Sequence, residues 1–311
     1  MAETTGIHHV TAIAGDPRQN VAFHTEVLGL RLVKKTVNFD ALETYHLYYG
    51  DEMGTPGTVL TFFPFGEGPQ GTVGRGQTSA TAYVVPEGSL AFWREHLESH
   101  GVTVTEQTER FGAGVLAFSD PDGQPYELIE GGSSIEPWID GPIPEEHAIR
   151  GFYGVTLDSL HPEKTGEILE ALGYEQTATE DERTRYETDS GHANVVEVRS
   201  RPDGTRGREG VGTVHHVAFR VADDETQAKL SERLQALGQN VTSQKDRQYF
   251  RSVYFREPGG VLFEIATDGP GFDRDERISE LGQSLKLPPW LESRREQIEE
   301  QLPSLAPEQE A

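Results

Sequence analysis

Four copies of one pattern run through this 311-residue chain, and a repeat of this kind restricts the fold more than any other feature of the sequence. Each copy opens with a short apolar strand, continues with an amphipathic helix closed by glycine, and ends in further strands. The first begins at Ile7-His8-His9-Val10-Thr11-Ala12-Ile13; Asp16 caps its helix, Pro17 sits in the first turn and Gly29 closes it. Strands are expected after it over 31–39, 45–49 and 58–63. The second copy runs from a strand at 78–85 through a helix at 89–99 to Gly101, with strands at 114–119 and 125–130. The third opens at 154–157, has a helix near 162–172 and turns at Gly173. The fourth opens at 214–221, has a helix near 224–237, turns at Gly238 and ends on a strand at 261–266.

Residue identities repeat as well. Ile7-His8-His9-Val10 matches Val214-His215-His216-Val217, and the turn-and-strand run from Pro121 to Glu127 matches the run from Pro258 to Glu264. One such unit cannot close its own sheet, so units are expected to pair into curved half-barrels around a cleft. The fold class is α+β: four βαβββ repeats forming two half-barrel domains. Residues 1–140 would hold two units, 141–270 the other two, and 271–311 a C-terminal extension. The Gly-, Pro- and acid-rich stretch 131–150 reads as the connector between domains, and 199–212 as a polar loop. A short helix is expected within 290–302, packed through Trp290, Leu291 and Ile298, followed by a frayed tail over 303–311.

Composition excludes several classes. The formal charge of −25, from 52 acidic against 27 basic residues, repels nucleic acid and anionic membranes. With no cysteine there is no disulfide, thiolate metal site, iron–sulfur cluster or cysteine nucleophile. The opening residues MAETTG carry no signal-peptide pattern, and no apolar run approaches a membrane span. A soluble, cytoplasmic protein is expected. Its acidic surface, with arginine far outnumbering lysine, suits a very salty cytoplasm and suggests a halophilic source.

The two His-His pairs occupy the same place in units one and four. Because a strand alternates its faces, one imidazole of each pair is expected in the cleft. His9 shares parity with Thr11 and Ile13, His216 with Ala218 and Arg220, and Glu264 lies on the closing strand of unit four. Two imidazoles and one carboxylate from three strands form a facial triad suited to Fe(II) or Mn(II), with positions left open for substrate and dioxygen. Units two and three lack the histidines. Glu127 repeats the Glu264 position without them, so it reads as a strand residue or hydrogen-bond acceptor, and Glu197 is a similar decoy. The closing strand of unit one offers Thr61 and Phe62, so three protein ligands are expected rather than four. In the run 246–255, Arg247 and Tyr254 are candidates for stabilising anionic oxygen or moving a proton. His24, His46, His96, His100, His147, His161 and His192 have no matching partner and are expected to be structural or solvated.

These motifs resemble the vicinal oxygen chelate superfamily of glyoxalases, bleomycin-resistance proteins and extradiol dioxygenases, and most closely its hydroquinone ring-cleaving branch. The resemblance rests on residues 7–11, Tyr45-His46-Leu47-Tyr48, the run DEMGTPGTVL at 51–60, residues 147–152, residues 214–219 and Pro258 to Glu264. It implies the vicinal oxygen chelate fold and Fe(II) held by His9, His216 and Glu264. It also implies catalytic surroundings at His8, Thr11, His215, Arg247 and Tyr254. Strand alternation would put His8 and His215 behind the ligands, where they can fix ligand orientation.

The expected activity is Fe(II)-dependent ring cleavage of a hydroquinone-type or catechol-type diol by dioxygen, with both oxygen atoms incorporated in the extradiol manner. A glyoxalase-like lyase or isomerase, and a metal-free protein that sequesters a quinone or drug, are the alternatives. Oxygen consumption separates the first alternative from the dioxygenase; convergence of His9, His216 and Glu264 on a metal separates the second. The expected partners are a small aromatic diol and dioxygen, with no nucleic acid or membrane. The sequence leaves a homo-oligomer open.

Overall fold

The computed structural model describes residues 3–305. Unit one comprises β1 (Ile7–Ala14), α1 (Pro17–Ala22), β2 (Arg31–Asn38), β3 (Ala41–Gly50) and β4 (Val59–Pro64). The Asp16 carboxylate accepts the Arg18 N–H at 2.7 Å to start α1, which widens into a π-helical turn over Phe23–Val27. The chain leaves this turn through Gly29, whose φ of 68° favours a residue without a Cβ. Unit two comprises β5 (Gln77–Val85), α2 (Leu90–Ser99), β6 (Val104–Arg110), β7 (Ala113–Ser119) and β8 (Pro125–Glu130). Unit three comprises β9 (Phe152–Asp158), α3 (Pro162–Ala171), β10 (Glu175–Glu180), β11 (Arg183–Glu187) and β12 (Val195–Arg199). Unit four comprises β13 (Thr213–Val221), α4 (Asp224–Ala236), β14 (Lys245–Asp246), β15 (Arg251–Arg256) and β16 (Leu262–Thr267).

Two eight-stranded sheets result, ordered β14-β15-β16-β13-β1-β4-β3-β2 and β10-β11-β12-β9-β5-β8-β7-β6. The sheets do not follow the division expected at residue 140. Unit one shares a sheet with unit four, and unit two with unit three. Each unit must cover the open edge of its first strand, and it does so antiparallel: β1 against β13, and β5 against β9. The chain reaches this nested arrangement through two crossovers that run side by side, bridged at Gln70–Val211, Thr72–Arg208 and Arg75–Arg206. The connector 131–150 has no regular element, yet it buries Ile135, Ile143, Ala148 and Ile149.

Strand alternation then sorts the side chains. In β1, Val10, Ala12 and Ala14 enter an apolar cluster shared by both sheets and by α2, α3 and α4. His9, Thr11 and Ile13 are left for the opposite face.

Beyond β16, the extension packs on unit one. Helix α5 (Arg295–Gln301) buries Ile298 in a cluster with Val37, Leu287 and Leu291. Trp290 departs from expectation: it is 53% exposed, with its ring 5.8 Å from Phe39, because the helix begins five residues after it. Buried Lys34 anchors the segment by donating to Asp275 at 2.7 Å and to Glu276. Residues 306–311 of the expected frayed tail lie outside the described residues. No helix among the described residues is long and apolar enough to cross a membrane.

Candidate metal centre

The pairing of β1 with β13 builds the site. His9 lies opposite Ala218 and Thr11 opposite His216, so the ladder is symmetric about the Val10–Val217 pair. His9 thus corresponds to His216, and Thr11 to Ala218. The register shifts at His8 and again at His215, each of which has no residue paired opposite it. These are β-bulges, which re-aim side chains that strict alternation would separate. The bulges bring His8 Nδ1 to 2.9 Å from His9 Nδ1, and His215 Nδ1 to 2.7 Å from His216 Nδ1.

The other ring nitrogens converge. His216 Nε2 is 3.4 Å from His9 Nε2, and Glu264 Oε2 is 2.9 Å from His216 Nε2 and 3.5 Å from His9 Nε2. One ligand atom from each of the three residues lies within 4.8 Å of the others, and all three residues are buried. Ser252 donates its hydroxyl to Glu264 Oε1, while Oε2 has no well-oriented hydrogen-bond donor despite the nearby imidazole. Burial pushes the His216 imidazole down to about 4, although Glu264 opposes the shift. Burial would raise the Glu264 carboxyl, but His9 and His216 outweigh it and hold the group well below the usual carboxylate range. A neutral His216 and an ionised carboxylate with an orphaned oxygen fit a divalent metal ion.

The triad forms the floor of a cavity of about 410 Å³. Its apolar wall includes Ile13, Phe39, Phe63, Phe65, Phe250 and Leu262; its polar groups include His46, Tyr48, His215, Arg247 and Tyr254. Arg247 Nε donates to the Tyr254 hydroxyl at 3.0 Å, and its guanidinium lies 3.6 Å from Asp40 at the exposed rim. Burial and the Glu264 charge raise the Tyr254 phenol, with Arg247 opposing. Burial would lower Arg247, yet Tyr254 and Glu264 raise it.

Two expectations need correction. His215 lines the cavity beside His216, so that pair does not place a single imidazole in the cleft; the bulge defeats simple alternation. His8 does not line it: it packs 5.1 Å from the Phe250 ring, and its Nε2 has no partner. His46, expected to be structural or solvated, also lines the cavity. It accepts from or donates to Tyr48 OH at 2.7 Å and the Thr61 hydroxyl at 2.8 Å, and Thr61 meets Thr11 at 2.8 Å. The sequence signal for it was the run Tyr45-His46-Leu47-Tyr48, part of the family resemblance. Thr11 itself is fully buried beneath this chain rather than in the cavity lining.

The second sheet repeats the frame without the ligands. By the same register, Ala80 and Gly154 stand where His9 and His216 stand, and Glu127 and Glu197 both occupy the Glu264 position. Arg110 fills the centre, donating to Glu127 Oε1 at 2.9 Å with its Nε 3.1 Å from Glu197. Arg183 and Arg185 also pair with Glu197, at 3.0 and 2.8 Å. A guanidinium cluster neutralises the two carboxylates in this cup.

Comparison with known proteins agrees with the geometry. The family model described as Glyoxalase/Bleomycin resistance protein/Dioxygenase superfamily matches residues 6–128 and 162–265. The chain is 49% identical over 308 residues to the "Putative ring-cleaving dioxygenase MhqE" of Bacillus subtilis, covering 97% of this chain and 100% of the relative. It is 40% identical over 303 residues to the "Chlorohydroquinone/hydroquinone 1,2-dioxygenase" of Sphingobium indicum, covering 94% of each. A crystal structure of a "putative dioxygenase" from Bacillus subtilis superposes with a TM-score of 0.94 at 46% identity, covering 97% of each chain. Glyoxalase I from Zea mays shares the fold, with a TM-score of 0.64 at 17% identity over 85% of this chain and 92% of that one. The chain belongs to the glyoxalase/bleomycin resistance protein/dioxygenase superfamily.

Proposed function

We propose that this protein is an Fe(II)-dependent ring-cleaving dioxygenase acting on a hydroquinone-type aromatic diol, with Mn(II) as the alternative ion. The observation that carries the reading is a three-ligand site, His9, His216 and Glu264, on the floor of an aromatic-lined cavity. The relatives' names support the reaction class, and one of them names hydroquinone and chlorohydroquinone. A bound ferrous ion would supply open coordination positions and an electron path between ring and dioxygen.

The chain's own groups do the rest. For Nε2 of His9 and His216 to face a metal, each ring carries its proton on Nδ1 and donates it to Nδ1 of His8 or His215. His215 is then protonated at Nε2 and offers an N–H to the cavity it lines. The aromatic walls hold the diol ring and exclude water. Arg247, with Tyr254 on its Nε, stabilises negative charge on the substrate oxygens, and Tyr254 supplies a proton when the ring opens. Extradiol-type cleavage beside one hydroxyl-bearing carbon incorporates both atoms of dioxygen into an acyclic product.

The test is anaerobic reconstitution with Fe(II), followed by oxygen-electrode assays with methylhydroquinone, chlorohydroquinone and catechol beside a His216→Ala control. Iron-dependent uptake that vanishes in the control is the expected result. Tight metal binding without uptake would transfer the site to lyase or isomerase chemistry, and absence of metal binding would leave a sequestering protein.

A further inference from the structure

Arg247 and Phe250 reach the cavity from a turn rather than from a strand. Residues 247–250 join β14 to β15, and both side chains line the cavity. The Arg247 N–H closes the turn by donating to the Phe250 carbonyl at 3.0 Å. Between them Gln248 has a φ of 71°, a left-handed conformation that a side chain of this size keeps only when its surroundings hold it there. The Gln248 side chain is not what holds it: the residue is buried, and its Oε1 has no hydrogen-bond donor.

The backbone of the turn is gripped from two sides. On one, the Gln248 N–H donates to the Asp246 carboxylate at 2.7 Å. On the other, the segment that follows β16 supplies three hydrogen bonds. Arg274 Nη1 donates to the Gln248 carbonyl at 2.7 Å, the Gly271 N–H to the Tyr249 carbonyl at 2.8 Å, and the Tyr249 hydroxyl to Asp275 at 3.0 Å. Phe272 packs in one cluster with Tyr48, Tyr249 and Phe250, its ring 5.2 Å from each tyrosine ring. Asp275 is in turn fixed by Lys34 on β2. The extension thus ties a turn of unit four to a strand of unit one, directly behind the cavity.

We propose that the extension is a working part of the site: Arg274 is a positioning residue that holds the left-handed turn at Gln248 and thereby aims the Arg247 guanidinium at the oxygens of the bound diol. Arg274 does not line the cavity, so it acts only through the turn. This inference rests on the reading of Arg247 given above.

4-Nitrophenol is the probe, because it is coloured only as the phenolate and so reports the charge that the site stabilises, without turnover. Anaerobic Fe(II)-loaded wild type, Arg274→Ala and Arg274→Lys would be titrated with it at a pH where the free probe is the neutral phenol. Steady-state kinetics with methylhydroquinone and a metal titration would run beside it. In Arg274→Ala the ionisation of the bound probe should move up by about one pH unit or more. Its kcat should fall roughly 10- to 100-fold, as a small misplacement of a charge-stabilising group allows. Metal affinity should stay within about twofold of wild type, because Arg274 shares no partner with the ligands. Arg274→Lys keeps a donor for the carbonyl and should retain most of the rate. Gln248→Gly added to Arg274→Ala should recover most of the loss, since glycine takes a positive φ freely. A folded Arg274→Ala with wild-type probe colour and kcat overturns the proposal. A loss that neither the lysine nor the added glycine reduces also overturns it. Wild-type protein that never binds the probe as the phenolate overturns the reading of Arg247 and this inference with it, so the two failures are distinct.

Discussion

The Nδ1 atoms of His215 and His216 lie 2.7 Å apart, as close as a short hydrogen bond allows between adjacent residues of one strand. The same relationship recurs at His8 and His9, at 2.9 Å. His9 and His216 are thus each oriented by their own neighbour, and only His215 of the two supports also faces the cavity. His8→Ala and His215→Ala are both expected to weaken Fe(II) or Co(II) binding by roughly 10- to 100-fold. At saturating metal they should diverge: KM for the diol rises in His215→Ala and stays near wild type in His8→Ala. Metal titration and steady-state kinetics on both variants check this, and equal KM effects would remove His215 from substrate contact.

Arg247 joins two groups of unequal weight. Tyr254 is half-buried and accepts the hydrogen bond from its Nε–H, whereas the Asp40 side chain is 77% exposed at the rim. An exposed ion pair is worth under about 1 kcal/mol, so Asp40→Asn should change KM by less than about fivefold. Arg247→Lys keeps the charge but loses the directed donor to Tyr254. It should lower kcat on the order of 100-fold with a smaller effect on metal affinity. Comparable losses in both variants would mean that the rim pair, not the Tyr254 contact, is what Arg247 supplies.

In the second cup, Arg110 separates two buried carboxylates, Glu127 and Glu197. Removing it leaves them facing one another with only the flanking arginines on Glu197. Arg110→Ala is expected to destabilise the fold by about 3–5 kcal/mol in urea titrations. Because His9, His216 and Glu264 lie in the other sheet, metal affinity of the folded variant should remain within about twofold of wild type, since sites that share no partners behave additively.

Burial pushes the Asp120 carboxyl up to about 7, against backbone N–H bonds from Gln124 at 2.8 Å and Asp122 at 3.0 Å. Its unfolded value is near ~4, so between the two values the folded state binds more protons than the unfolded one. Stability contributed by the protonated acid is present below pH ~4 and is lost as pH rises to about 7. Asp120→Asn keeps the acceptor and removes the charge. It should match wild type near pH 4 and exceed it by about 2–4 kcal/mol at pH 8. Urea unfolding at the two pH values measures the difference, and equal curves at pH 8 would contradict the assignment.

The repeat was legible because its markers are local. A glycine closing each helix, a proline–glycine turn before a closing strand, and the apolar alternation of β1 and β13 are each set by backbone and burial preferences of nearby residues. His9, His216 and Glu264 were legible for the same reason: they hold matching places in matching units. The β-bulges at His8 and His215 were not, since an extra residue in a strand is defined only by the partner strand opposite it. His46 was missed because its significance lies in Thr61, fifteen residues away and one strand over.

The sequence by itself determined four βαβββ units, the helix caps and the identity of two His-His pairs. It could not determine which units join. That is decided by which free strand edges can be covered at once, and the nested answer, β1 with β13 and β5 with β9, depends on crossovers that exist only when the chain is folded. The difference between the two cups was decided there too. Glu127 and Glu264 repeat one another in sequence, but Glu264 meets two imidazoles across its sheet while Glu127 meets the Arg110 guanidinium. Only long-range packing sets which charge a buried carboxylate faces.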